Sequence, residues 1–154
     1  MARAKSFDTY IEGLNQVLRA FKALPKEASA ELRQASQAVA SQHMVPAWQN
    51  AALYGAGPWG QVIAASVKVK RDRIPAVQIG GNRKVLSGGG TATMVRAPSD
   101  LGPAGKWYSK PEEERTFAPF QRTDWMTRVR GYQGPALQEW AQAVDRIVAK
   151  WSTL

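Results

Sequence analysis

Apolar side chains at Phe7, Tyr10, Ile11, Leu14, Val17, Leu18, Phe21 and Leu24 recur at steps of three and four residues, which lays them along one face of an α-helix. Ser6 or Asp8 can supply the N-cap oxygen and Pro25 stops the run, so the first helix is expected over about residues 7–24. Pro25 can equally open a second helix, whose first position needs no N–H, and Glu27 and Glu31 suit the positive end of its dipole. This helix is expected over about residues 26–53, on a thinner stripe of Ala28, Leu32, Ala35, Val39 and Met44. Pro46 kinks or ends it, because proline lacks a donor and crowds the preceding turn, and the helix resumes at Trp48.

Gly55-Ala-Gly-Pro-Trp-Gly60 breaks the pattern, and beyond it the period changes from helical to alternating. Val67 and Val69, then Val77 and Ile79, flank Arg71-Asp-Arg-Ile-Pro75. This predicts a β-hairpin over about 63–80, with strands at 63–70 and 76–80 and a third strand at 93–96. Residues 81–133 are rich in glycine and proline and are expected to be mostly loop. Gly134-Pro135 opens a last helix over about 135–151, with an apolar face of Leu137, Trp140, Ala141, Val144, Ile147, Val148 and Trp151.

The expected fold class is therefore α+β: two N-terminal helices, a small antiparallel β-sheet with a long Gly/Pro-rich loop, and a C-terminal helix packed on the sheet. The 154 residues suit one domain. No second composition class and no internal repeat divides them.

Composition narrows the chemistry. With no cysteine, disulfides, thiolate metal sites and cysteine nucleophiles are excluded. The basic start is followed by an amphipathic segment carrying Asp8 and Glu12, so no signal-peptide core is expected. No apolar run approaches the ~20 residues that span a bilayer, and no membrane partner is expected.

Catalytic patterns are absent, and the chain reads as a non-enzyme without cofactor or metal. His43, the only histidine, lies beside Met44 with no acid–serine pattern around it. Glu112-Glu113-Glu114 reads as a solvated acidic run rather than a cation site. Gly55-Ala-Gly-Pro-Trp-Gly60 matches a dinucleotide fingerprint in letters only, since that motif follows a strand and opens a helix, the reverse of the order here.

The formal net charge of +9 points to a polyanionic partner. Lys68, Lys70, Arg71, Arg73, Arg83 and Lys84 crowd the expected hairpin, opposed there by Asp72. Alternation puts Val67 and Val69 on one strand face and the lysines on the other. Such a ribbon can lie along phosphates without reading bases, or it can use its lysines to protect an exposed edge from aggregation. Of the 6 tryptophans, Trp140 falls on a helical stripe, while Trp59, Trp107 and Trp125 sit in loop-like sequence and are candidate interface anchors.

The order of elements resembles the neck or tail-completion (head–tail joining) family of long-tailed bacteriophages. Pro58, Gly60, Val62, Ser66 and Val67 loosely follow that family's Pro-x-x-Thr-Gly-x-Leu-x-x-Ser-Ile signature, without its threonine and with altered spacing. Pro135-Ala136-Leu137 is similar to its entry into the last helix. The resemblance implies a structural virion protein, assembled in the host cytoplasm into a homo-oligomeric ring, such as a hexamer, around the DNA channel. Head-completion and tail proteins would be its neighbours, and passing double-stranded DNA would be touched without sequence preference. A tail terminator of the same junction is similar in size. A stand-alone, sequence-independent nucleic-acid-binding protein using the basic hairpin is the alternative.

Overall fold

The computed structural model describes residues 14–102 and 122–153. In chain order the helices are α1 (Leu14–Lys22), α2 (Lys26–Val39), α3 (Val45–Gly55), α4 (Gly60–Ala65), α5 (Ala92–Leu101), α6 (Trp125–Arg130) and α7 (Gly134–Ser152). The strands are β1 (Lys68–Val69) and β2 (Val77–Gln78), which form one two-stranded antiparallel sheet. The described chain is thus predominantly helical, and the expected α+β class is corrected.

Proline shapes the N-terminal half. Pro25, at φ −56° and ψ 158°, immediately precedes α2, and Glu27 occupies the first turn. The helix then passes through a π-helical turn, Ala40–Met44, into α3 with Pro46 near its start. Val39, Ala40, Met44 and Val45 all keep right-handed helical dihedrals. A wider turn just before Pro46 accommodates a residue that has no N–H to give and a ring that crowds the turn behind it.

One expected strand begins as a helix and another is a helix throughout. Gly60, Ile63 and Ala64 are the buried residues of α4, and Val67 is buried just beyond it. That is helical spacing continued to the residue before β1, so α4 takes residues 63–65 of the expected 63–70 strand and only Lys68–Val69 pair as a strand. Gly60 lets α4 press onto α3, since a Cβ there would lie 2.7 Å from the Ala52 carbonyl oxygen. The expected strand at 93–96 is part of α5, where Ala92, Val95 and Ser99 are buried at three- and four-residue steps. The region expected to be loop over 81–133 therefore contains α5 and α6; its residues 103–121 lie outside those described, as do residues 7–13 of the expected first helix.

Buried side chains form two clusters. The first unites Trp48, Ala52, Ala56, Ile63, Ala64, Val67, Val95, Trp125 and Val129, with Val77 and Ile79 against it. Trp48 and Trp125 meet edge to face, with centroids 6.0 Å apart. The second unites Phe21, Ala28, Leu32, Val39, Ala136, Trp140, Val144 and Ile147, with Met44 packing against both clusters. The C-terminal helix α7 consequently packs on α2 and α1 rather than on the sheet, and Val67, Val77 and Ile79 are covered by α3–α6. From the hairpin, Ile74 in its turn packs against the second cluster.

Candidate nucleic-acid interface

The basic residues stand on a short ribbon fixed to the helices by its backbone. Lys68 pairs with Gln78 and Val69 with Val77, and the Lys70 N–H donates to the Ala76 carbonyl at 2.9 Å. Val67 is buried and Val69 half-buried, while Lys68 and Lys70 are exposed. The alternation expected of this segment is therefore present, within a much shorter ladder.

In the turn, the Arg73 N–H donates to the Asp72 carboxylate at 2.7 Å. The Arg73 carbonyl accepts the Ser36 hydroxyl at 2.6 Å, and the same oxygen of Ser36 accepts the Trp140 indole N–H at 3.0 Å. Ser36 is 1 % exposed. One buried hydroxyl thus joins the basic turn to α2 and α7.

The open end of the hairpin is held from the other core. The Ser66 hydroxyl donates to the Ile63 carbonyl at 2.6 Å and accepts the Gly80 N–H at 2.9 Å. Gly81 gives its N–H to Thr93 Oγ1 at 2.8 Å and accepts that hydroxyl at its carbonyl at 3.2 Å. The Arg96 guanidinium donates to the Ile79 carbonyl at 2.7 Å. Gly80 sits at φ +98°, where L side chains are strained, and a Cβ would lie 2.5 Å from Thr93 Oγ1. Beyond it, Lys84 bridges Thr91, and the Val85 and Leu86 N–H groups both donate to the Gly90 carbonyl at 3.0 Å.

The cations are therefore strung along one chain path. Arg71 and Arg73 occupy the turn, Lys68 and Lys70 lie on and beside β1, and Arg83 and Lys84 follow past the open end. Arg73 is half-buried and the others are exposed. None pairs with a described carboxylate; ion pairs such as Arg122–Asp124 and Lys150–Glu31 lie elsewhere. His43, on the π-helical turn, hydrogen-bonds the Glu139 carboxylate of α7 through Nε2.

The expected interface tryptophans divide. Trp125 is corrected: at 1 % exposure it is a core residue of α6, its indole N–H donating to Ser99 Oγ at 3.0 Å. Trp59 is half-buried against the first cluster, and Trp107 lies outside the described residues. Among the described residues, the exposed large aromatics are Tyr54 at 91 % and Tyr132 at 78 %. Sequence reasoning missed Ser36, Ser66, Thr93 and Arg96, which orient the ribbon. Ser36 carried a signal, being a hydroxyl in step with Ala28 and Leu32 on the buried face of α2.

Among the described residues, no group of three or more His, Cys, Asp or Glu side chains could hold a metal ion, and no helix is long and apolar enough to cross a membrane. Comparison with protein-family models, curated proteins and solved structures gives no match.

Proposed function

We propose that this chain is a structural protein of the bacteriophage head–tail junction, one subunit of a ring around the DNA channel whose basic ribbon contacts passing duplex DNA. The observation that carries the reading is the ribbon itself: exposed cations without described carboxylate partners, on backbone fixed at both ends. Such a surface suits a phosphate backbone, which offers charge at regular spacing and asks for no base recognition. The loose Pro58–Val67 signature and the Pro135-Ala136-Leu137 step add the resemblance to the neck and tail-completion family. The proposed localisation is the virion.

The test is a salt titration of duplex binding. Wild-type protein should bind duplexes of unrelated sequence equally, with log affinity falling steeply against log salt. Replacing Lys68, Lys70, Arg71, Arg83 and Lys84 with Gln should flatten that slope by ~0.9 for each phosphate that is no longer neutralised. An unchanged slope would remove the ribbon from the interface. Native mass then separates a ring subunit from a stand-alone nucleic-acid-binding protein that uses the same ribbon, because the latter binds DNA as a monomer.

A further inference from the structure

We propose that Ser36 is a positioning residue for the basic ribbon: its hydroxyl pins the hairpin turn to the α2–α7 core and so fixes where Arg71 and Arg73 are presented. This rests on the reading of the ribbon as a DNA-contacting surface. Few other hydrogen bonds hold the turn. Its Asp72–Arg73 bond is internal to the turn, and the contacts from Ser66, Thr93 and Arg96 hold the opposite end, at Ile79, Gly80 and Gly81. The side-chain hydrogen bond that reaches the turn from the described helices is the Ser36 hydroxyl on the Arg73 carbonyl; Ile74 packs against the second cluster and Pro75 is buried.

The direction of the hydrogen bonds makes Ser36 the pivot. A hydroxyl has one proton to give and two lone pairs to accept with. Ser36 gives its proton to Arg73 and receives one from the Trp140 indole, so its two bonds reach across 37 and 104 positions of sequence. The Ser36 side chain on α2 sets where the oxygen lies, and the indole takes up one of its lone pairs while the proton goes to Arg73. Helices α2 and α7 and the cationic turn thus meet at a single atom, but the bond that places the turn is the one Ser36 donates.

Two substitutions separate this role from ordinary core packing. Ser36→Ala removes the bond to the hairpin and leaves the indole N–H unpaired. Trp140→Phe removes the indole donor but leaves Ser36 free to donate to Arg73. Both variants lose stability, whereas positioning distinguishes them. In Ser36→Ala, amide exchange across 70–74 should accelerate roughly five- to tenfold relative to the amides of β2, as expected for the removal of one net hydrogen bond. Affinity for a duplex of arbitrary sequence should fall by a similar factor at unchanged net charge. In Trp140→Phe, exchange in the turn should stay in step with β2.

Equal acceleration in both variants would make Ser36 a packing residue and overturn the proposal, as would a turn that exchanges normally in Ser36→Ala. If the wild-type chain binds no duplex, the DNA reading fails; the exchange comparison still decides whether Ser36 places the turn.

Discussion

Asp100 is a carboxylate at 3 % exposure, with its Oδ1 accepting the Met126 N–H at 2.8 Å near the start of α6. Burial pushes its pKa above the ordinary aspartate range, more strongly than the Met126 N–H pulls it down. In the unfolded chain the proton leaves near pH ~3.9; in the folded chain it leaves at higher pH. Between those values the fold holds a proton the unfolded chain has released, so stability falls as pH rises through the window and stays lower above it. Glu31 works in the opposite sense. The Lys150 ammonium, and then the Trp151 indole, donate to it and hold its pKa below the usual glutamate range. Its contribution is present above the unfolded value and is lost as pH falls through the folded one. Asp100→Asn keeps an acceptor for Met126 without the charge. Melting temperatures taken from about pH 3 to about pH 7 should lose their falling limb in this variant, and the melting point at neutral pH should equal or exceed that of wild type. A lower neutral melting point would mean that α6 needs the negative charge at its N-terminus more than the fold avoids burying it.

Among the elements, the joint between α3 and α6 is set by Gly55. An alanine there would ordinarily strengthen a helix by ~1 kcal/mol over glycine. Here its Cβ would stand 2.4 Å from the Trp125 Cβ and 3.3 Å from its Cγ. Trp125 cannot easily yield, being held by Ser99 and wedged edge-on against Trp48. Overpacking of that kind costs about 1–3 kcal/mol, so the clash outweighs the propensity gain. Gly55→Ala should lower the urea midpoint, and a raised midpoint would show that α6 can slide away at little cost. The same elements explain how much of the fold was legible in the sequence. Long stripes with proline boundaries, as in α2 and α7, were readable because their period repeats many times. The short helices were not. Gly60, Ile63, Ala64 and Val67 carry helical spacing, but the spacing runs straight into the genuine alternation from Val67 to Lys70 and was absorbed by it. Thr93-Met-Val-Arg96 has strand-favouring side chains whose local preference yields to burial of Ala92, Val95 and Ser99 along one helical face. The cationic ribbon was legible from charge alone. Its anchors were not, because a hydroxyl's partner 37 or 104 positions away leaves no local pattern.

At the scale of the whole molecule, charge and apolar surface would act on the proposed assembly in opposite directions. Each copy carries a formal charge of +9, so closing copies into the proposed ring would set like charges beside one another and oppose association. Salt shortens the reach of that repulsion to ~10 Å at 0.1 M and ~3 Å at 1 M. Tyr54, Tyr132, Met94, Leu53 and Val85 are exposed and apolar or aromatic, and the packing of such side chains does not weaken as charges are screened. Assembly of the proposed ring should therefore strengthen with salt, while the proposed duplex binding should weaken as the gain from counterion release shrinks. Sedimentation velocity and duplex titration, each run at about 50 mM and about 500 mM salt, should move in opposite directions. Short duplexes added at low salt should favour the proposed oligomer, because their phosphates would neutralise part of the positive charge that opposes association. Tyr54→Asp combined with Tyr132→Asp should abolish the oligomer at either salt concentration and leave the ribbon's backbone anchors untouched. An oligomer that dissolves as salt rises would instead be held together by ion pairs, and the exposed apolar side chains would then not be its interface.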